Sequence, residues 1–537
     1  MPFLVTRLPF YLYYPMVTLT PDSWTYSRLA FDILEGRLPQ FDHRTPGYPL
    51  FIALVFKLYP LLAVVPHASG TNLSLAMAQS LVCLGAMLAF VGVTHKDLGA
   101  RIALYAALAL TAASNTITFL WSETTYMTES LYVSFLLISL ACLIRSLYCR
   151  KPLYWTVTSL MMGYTVWIRP SGLFLIPLMA VITAWLVRNS YPRRVWLAFV
   201  APFVLMMLSL ATYNLCTIRS FTLSPFGANN IFAVTMPFME TPKTLPPEVS
   251  KAFVDSVQSR VTAKVKATIN NSWDINELHD AFFDIYPQNL AITLELKNVF
   301  PHPPGAATAL MGLYPYMNDI ARASIKQHPL LYAKFVGVMF VYYFLNIKQD
   351  EAGITGNDNI YNTTIPYNIY TLISHYNTMK AATTEQNARI IRQTLNEYAE
   401  PFPPRKRFYA LLLSKQGTGV KMELLALNLV KTGFQAFSSS YLRYHKLLFK
   451  NIYWVALYLI AFFYAIYVLC KGGFSDTRAF IIVITGSVPV LSAVLGSLVS
   501  VAYIRYSYAA EFCYYLTVAL LPTLIFKRAH RDKETLP

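Results

Sequence analysis

Residues 20–50, TPDSWTYSRLAFDILEGRLPQFDHRTPGYPL, follow an apolar run from Phe3 to Leu19 and lead into another apolar run from Leu50. A segment needed only to join two membrane-crossing runs has no use for Asp22, Arg28, Asp32, Glu35, Asp42, His43 and Arg44, so this loop has work of its own. Thr20 can cap a helix, Pro21 suits its first turn and Gly36 can end it, which predicts a helix over Pro21 to Glu35. On that helix Arg28, Asp32 and Glu35 share one face and Tyr26, Ala30, Ile33 and Leu34 the other, the pattern of a helix resting on a membrane surface. Asp22 falls in the first turn. There a carboxylate either complements the helix dipole or, held at the bilayer boundary, takes a proton from a hydroxyl as general base. His43 and Arg44 precede Thr45-Pro-Gly-Tyr-Pro, a turn that reverses the chain into a short apolar helix, Leu50 to Tyr59. A guanidinium at position 44 offers paired donors to phosphate oxygens, whether of a substrate or of a lipid headgroup.

Outward from this loop the chain is apolar. Of its 537 residues 55% are hydrophobic and 13% charged, which excludes an ordinary soluble domain and, with recurrent runs near bilayer length, a single-anchor protein. The net charge of +17 raises the question of nucleic acid. The basic residues instead form short clusters beside apolar runs, at Lys96/Arg101, Arg145/Arg150/Lys151, Arg188/Arg193/Arg194, Lys471/Arg478 and Lys527/Arg528/Arg531/Lys533. These fall in alternate loops, as cytoplasmic loops do, so the expected anionic neighbours are membrane lipids and not nucleic acid. Six cysteines, dispersed and without ligand spacing, argue against a disulfide framework and a metal cluster.

Reading the first run as a span rather than a cleavable signal gives about ten crossings. They are Phe3–Leu19, Leu73–Val93, Ile102–Trp121, Leu131–Leu147, Tyr154–Ile168, Gly172–Val187, Trp196–Leu215, Ile452–Cys470, Phe480–Val501 and Tyr508–Phe526. The expected fold is an all-α polytopic bundle in three parts. Residues 1–217 form an N-terminal transmembrane module whose first external loop is 20–60. A mostly helical extracytoplasmic section covers 218–450, and the last helices cover 451–537. Within the middle section Glu248–Thr268 and Thr383–Tyr398 read as helices, and Pro329–Leu345 as a helix lying in or dipping into the interface.

Asp22-x3-Tyr26, Ala30, Gly36 and Arg44-Thr-Pro-Gly-Tyr-Pro-Leu together resemble the first-loop signature of the GT-C superfamily of polyprenyl-phosphate-sugar glycosyltransferases. The protein O-mannosyltransferases and the aminoarabinose or galacturonic acid transferases are the members nearest in pattern. Thr128-Glu-Ser-Leu131 and Arg505-Tyr506 resemble further elements of that superfamily. Where members often have proline after the arginine, this chain has Thr45. The resemblance implies a GT-C-type bundle with Asp22 as catalytic base, and it makes Arg44, Arg505 and Arg169 candidates for binding the donor phosphate. His43, Tyr48, Glu123 and Glu129 become candidates for substrate contact; for the two glutamates this means acceptor, donor sugar or a divalent cation. No other cofactor is implied. The expected reaction is inverting transfer from a polyprenyl-phosphate-linked sugar to a hydroxyl of a glycolipid, glycan or protein, on the outer side of the inner (plasma) membrane. A polytopic secondary transporter or lipid flippase is the rival reading. It predicts inverted repeats and ionisable residues within spans, whereas here such residues concentrate in outer loops.

Overall fold

The computed structural model describes residues 7, 21–41, 44–62, 68–114, 123, 127–224, 226–285, 288, 292–293, 295–296, 300, 309–345, 452–499 and 504–525. Every secondary-structure element among the described residues is a helix. In chain order these are α1 (Pro21–Leu34), α2 (Gly47–Leu62), α3 (Ala68–Leu98), α4 (Ala100–Ser114), α5 (Glu129–Cys149), α6 (Pro152–Ile168), a 3-10 turn (Pro170–Phe174), α7 (Leu175–Arg188) and α8 (Arg193–Ile218). They continue as α9 (Phe226–Thr235), a 3-10 turn (Met236–Phe238), α10 (Pro247–Gln258), α11 (Ala263–Asn271), α12 (Ile275–Ile285), α13 (Ala309–Gln327) and α14 (Pro329–Leu345). The last three are α15 (Ile452–Lys471), α16 (Thr477–Val499) and α17 (Ile504–Leu520).

Among the described residues six helical segments are long and apolar enough to cross a membrane: Ser74–Leu98, Glu129–Cys149, Pro170–Arg188, Arg193–Ile218, Trp454–Lys471 and Thr477–Leu498. Shorter apolar helices cover Gly47–Leu58, Ala100–Ser114, Pro329–Phe344 and Phe512–Ile525. The protein is an all-α polytopic membrane bundle. Of the expected first crossing only Arg7 is described, and residues 115–121 of the third and the helix expected at Thr383–Tyr398 lie outside the described residues.

Helices α1 to α8 and α15 to α17 share one apolar core. It runs from Tyr26 and Ala30 through Leu136, Trp155, Ile182 and Phe199 to Phe480 and Phe512. Close approach comes from small or notched positions: a Cβ on Gly163 of α6 would sit 2.6 Å from Met206 Sδ of α8. Pro202 lies inside α8, and the amide of the next residue, Phe203, donates to Ser159 Oγ of α6 at 2.9 Å. Neighbouring side chains engage backbone groups beside a proline in this way inside bilayers.

A second core joins α9 to α14 with the C-terminal part of α8 and Ala493 of α16. The single helix expected over Glu248–Thr268 is instead two, α10 and α11, because the chain turns at Ser259–Val261 and Thr262 starts a new helix, its hydroxyl accepting from Val265 N at 3.3 Å. Helix α14 lies between this section and the bundle. Phe335 meets Phe282 of α12 at 4.8 Å, while Tyr332 donates to the Leu498 carbonyl of α16 at 2.6 Å and the Phe344 carbonyl accepts from Tyr514 of α17 at 3.1 Å. Helix α14 thus packs on both α16 and α17.

The arginine-bearing loops gather at one end. Arg145 pairs with Asp97 at 2.6 Å, Arg150 covers Tyr191, and Trp185 donates to the Phe474 carbonyl at 2.8 Å. These contacts join the α3–α4, α5–α6, α7–α8 and α15–α16 connections. The first loop sits at the opposite end, where Tyr213, late in α8, donates to the Pro39 carbonyl at 2.8 Å.

Candidate active site

Helix α1 forms over nearly the span its caps suggest, and its buried face is Tyr26, Leu29 and Ala30 with Ile33 partly buried, the i, i+3, i+4, i+7 stripe of a helix laid on a core. Leu34 lies outside it, 38% exposed, where the helix unwinds into Gly36 at φ +72°. On the outer face Arg37 hydrogen-bonds Asp32 at 2.7 Å and pairs with Glu35. Asp32's hydrogen bond is the main cause raising the guanidinium's pKa.

The Arg44–Tyr48 turn docks on the end of α6. Thr45, buried, donates its hydroxyl to the Ile168 carbonyl at 3.1 Å, and Tyr164 donates to the Gly47 carbonyl at 2.9 Å. The first of these satisfies a carbonyl left open by the helix end; a proline at position 45 has no hydroxyl to offer. A Cβ on Gly47 would lie 2.6 Å from the Ile168 nitrogen and the Trp167 carbonyl carbon, so only glycine permits this approach. Arg44, partly buried, donates Nε to Thr25 Oγ1 at 3.0 Å and lies over the Tyr26 ring at 4.7 Å. Asp22 falls in the first turn of α1, one turn before the Thr25–Tyr26 pair that receives Arg44. The side chains of Asp22 and Arg505, and the whole of His43 and Asp42, lie outside the described residues.

Proline at 170 holds Arg169 in the extended region, φ −153° and ψ 130°, so α6 stops at Ile168. The Arg169 side chain, 11% exposed, meets the carboxylate of Glu129, 3% exposed, at 2.7 Å, with Thr128 Oγ1 at 3.4 Å. Glu129 opens α5, where a carboxylate complements the helix N-terminus. Glu123 is fully buried in a second ion pair. Arg7 Nε reaches it at 2.8 Å, Ser80 donates to it at 3.1 Å, and Arg7 also donates to the Ser114 carbonyl at 2.7 Å. Tyr48 is fully buried, its hydroxyl donating to Gln79 Oε1 at 2.8 Å and its ring meeting Tyr26 edge-on at 5.0 Å.

Arg44, Tyr48, Glu129 and Arg169 thus gather at one end of the bundle, with Glu123 deeper. Tyr48 and Glu123 are buried and engaged with protein partners. Arg7, Gln79, Ser80 and Thr25 were missed. An arginine inside an apolar run was signal enough for the first, because intramembrane charge demands a partner. Both glutamates face guanidinium groups. Among the described residues no group of three or more His, Cys, Asp or Glu is placed to hold a metal ion.

No family model and no curated protein matches the chain. Among solved structures it is similar to an oligosaccharyltransferase of Archaeoglobus fulgidus in complex with Zn and sulfate, at 10% identity and a TM-score of 0.38 over 99% of this chain and 50% of that one. It is also similar to ArnT from Cupriavidus metallidurans bound to undecaprenyl phosphate, at 13% identity and a TM-score of 0.34 over 98% of this chain and 77% of that one. The chain spans half the length of the archaeal oligosaccharyltransferase. At these identities and scores neither likeness decides the chemistry, which rests on this chain's own side chains.

Proposed function

We propose that this protein is a GT-C-type membrane glycosyltransferase that moves a sugar from a polyprenyl-phosphate carrier to a hydroxyl acceptor by a single inverting displacement. Asp22 takes the proton of the acceptor hydroxyl as its oxygen attacks the anomeric carbon. The bond from that carbon to the carrier phosphate breaks, and the electron pair leaves with the phosphate. Arg44, Arg505 and Arg169 balance the charge growing on the departing phosphate. The observation that carries the reading is the seating of Arg44: its guanidinium is fixed by Thr25 and Tyr26 one helical turn from Asp22. A partly buried arginine held by a hydroxyl and an aromatic ring is oriented in advance, which is what stabilisation of a leaving phosphate requires.

Within this reading His43 contacts the substrate, Glu129 sets the direction of Arg169, and Tyr48 and Glu123 support the loop from behind. No step is assigned to a metal. The arginine-rich end faces the cytoplasm by the charge rule, so the site opens on the outer face of the plasma membrane, and residues 218–450 lie on the same side. Acceptors are a glycolipid, glycan or protein presenting an alcohol at that face.

The test is Asp22→Asn in purified protein given polyprenyl-phosphate sugars. Turnover equal to wild type removes Asp22 from the reaction. Arg505→Ala should raise the Michaelis constant for the donor and leave that of the acceptor unchanged; an unaltered donor constant would make this arginine a membrane anchor.

A further inference from the structure

The buried charge pair behind the first loop is not isolated from it. Arg7, 2% exposed, donates to Glu123, 0% exposed, at 2.8 Å, and the Glu123 backbone carbonyl accepts from Gln79 Nε2 at 2.7 Å. Gln79 Oε1 accepts from the Tyr48 hydroxyl at 2.8 Å, the Tyr48 ring packs edge-on against Tyr26 at 5.0 Å, and the face of Tyr26 carries Arg44 at 4.7 Å. Each of the five residues from Arg7 to Tyr26 is buried. We infer that Arg7, Glu123 and Gln79 are positioning residues that fix Arg44, acting through Tyr48 and Tyr26. This deepens the proposed function and rests on it for the role of Arg44; the mechanical link is a property of the fold.

Physical reasons favour positioning over simple adhesion. A buried ion pair is a costly way to hold two segments together, because desolvation of both charges offsets most of their attraction, and well-packed apolar groups hold as tightly. What the pair adds is direction. Glu123 receives Arg7 and Ser80 at its side chain, so its backbone carbonyl is held in one place, and Gln79, accepting at one end and donating at the other, transmits that place to Tyr48. An amide with both ends engaged has one orientation, and a fully satisfied buried network is rigid. The consequence falls on the turn that carries Arg44, which docks on α6 but would otherwise be free to tilt about that contact.

The experiment uses the full chain in lipid nanodiscs and reads amide hydrogen exchange over residues 44–52 beside donor kinetics. Gln79→Leu cuts the link without touching the ion pair. Arg7→Met with Glu123→Gln removes both charges together, so neither is left buried alone, and Tyr48→Phe removes only the last hydroxyl. The expected result is exchange over 44–52 faster by about tenfold in the first two and less in the third, with α5 and α6 unchanged, and kcat lower by about tenfold with the acceptor Michaelis constant unaltered. Tyr48→Phe added to Gln79→Leu should cost nothing more, since both cut one connection. Exchange over 44–52 equal to wild type, or acceleration spread evenly over the spans, overturns the inference. If the wild-type protein transfers no sugar from any polyprenyl-phosphate donor, the functional reading fails and exchange alone decides the positioning role.

Discussion

At one end of the bundle Arg150, Arg188 and Arg193 lie exposed against aromatic rings at 5.1, 4.7 and 6.0 Å; at the other, Arg7, buried, and Arg169, partly buried, meet carboxylates at 2.8 and 2.7 Å. The residue is the same and the physics differs. An exposed guanidinium on a ring is hydrated, can meet lipid headgroups and does its topological work by charge alone, so its exact partner matters little. A buried guanidinium is tied to one carboxylate, and the geometry of that tie is inherited by whatever stands next to it. Neighbours of these ion pairs are the first loop and the start of α5; neighbours of the exposed arginines are connecting turns. Exposed, ring-covering arginines thus mark one end, and the ion pairs beside the first loop mark the other.

Asp22→Asn breaks this contrast most sharply if the first-loop end is catalytic. Loss of the base should lower kcat by about 10²- to 10⁴-fold while the thermal midpoint in detergent stays with wild type. Next in size is Glu129→Ala, which leaves the partly buried Arg169 without its carboxylate and should cost about 3 kcal/mol of stability, read as a lower thermal midpoint and loss of extractable monomer. Glu129→Leu with Arg169→Met should recover most of that stability and none of the activity. If the double variant is active, the pair is scaffolding and the two ends differ only in burial.

How much of this was legible in sequence follows the range of each interaction. The inner stripe of α1 needs only the helix period, and the basic end needs only the alternation of charged loops, so both are visible in the residue pattern itself. Leu34 went to the wrong side because the period knows nothing of the helix ending there. The pairing of Arg7 with Glu123, 116 residues apart, depends on which helices pack. The burial of Tyr48 depends on α3 offering Gln79 at the right height. A local motif says that Tyr48 belongs to the loop; only packing says that it faces inward. Thr45 was visible only as a departure from proline until the Ile168 carbonyl supplied its reason.

Smaller effects sharpen the comparison from the loop side. Gly47→Ala drives a methyl to 2.6 Å from the backbone of α6, where neither partner can yield easily, and should cost about 1–3 kcal/mol. Activity should fall with it because the displaced turn carries Arg44. Thr45→Val keeps the shape and loses one hydrogen bond, about 1 kcal/mol, with the Ile168 carbonyl left under-satisfied. Saturation of the donor should shift less than in Gly47→Ala; an equal shift would mean that the turn responds to any change at its seat.

Arg150→Gly should have the smallest effect, and it probes the other end. Arg150 closes α5 in the left-handed region, φ 54°, a conformation that costs a side-chain-bearing residue about 1–2 kcal/mol and glycine nothing. Removing it forfeits the contact with Tyr191, worth about 0.5–1 kcal/mol at an exposed site. The two terms oppose, so stability measured by thermal unfolding should move by under about 1 kcal/mol and turnover should be unchanged. A large loss of turnover would show that the exposed end also shapes the site, and the contrast between the two ends would no longer hold. Retained turnover with mixed membrane orientation, read by cysteine accessibility from each side, would show the charge acting on topology alone.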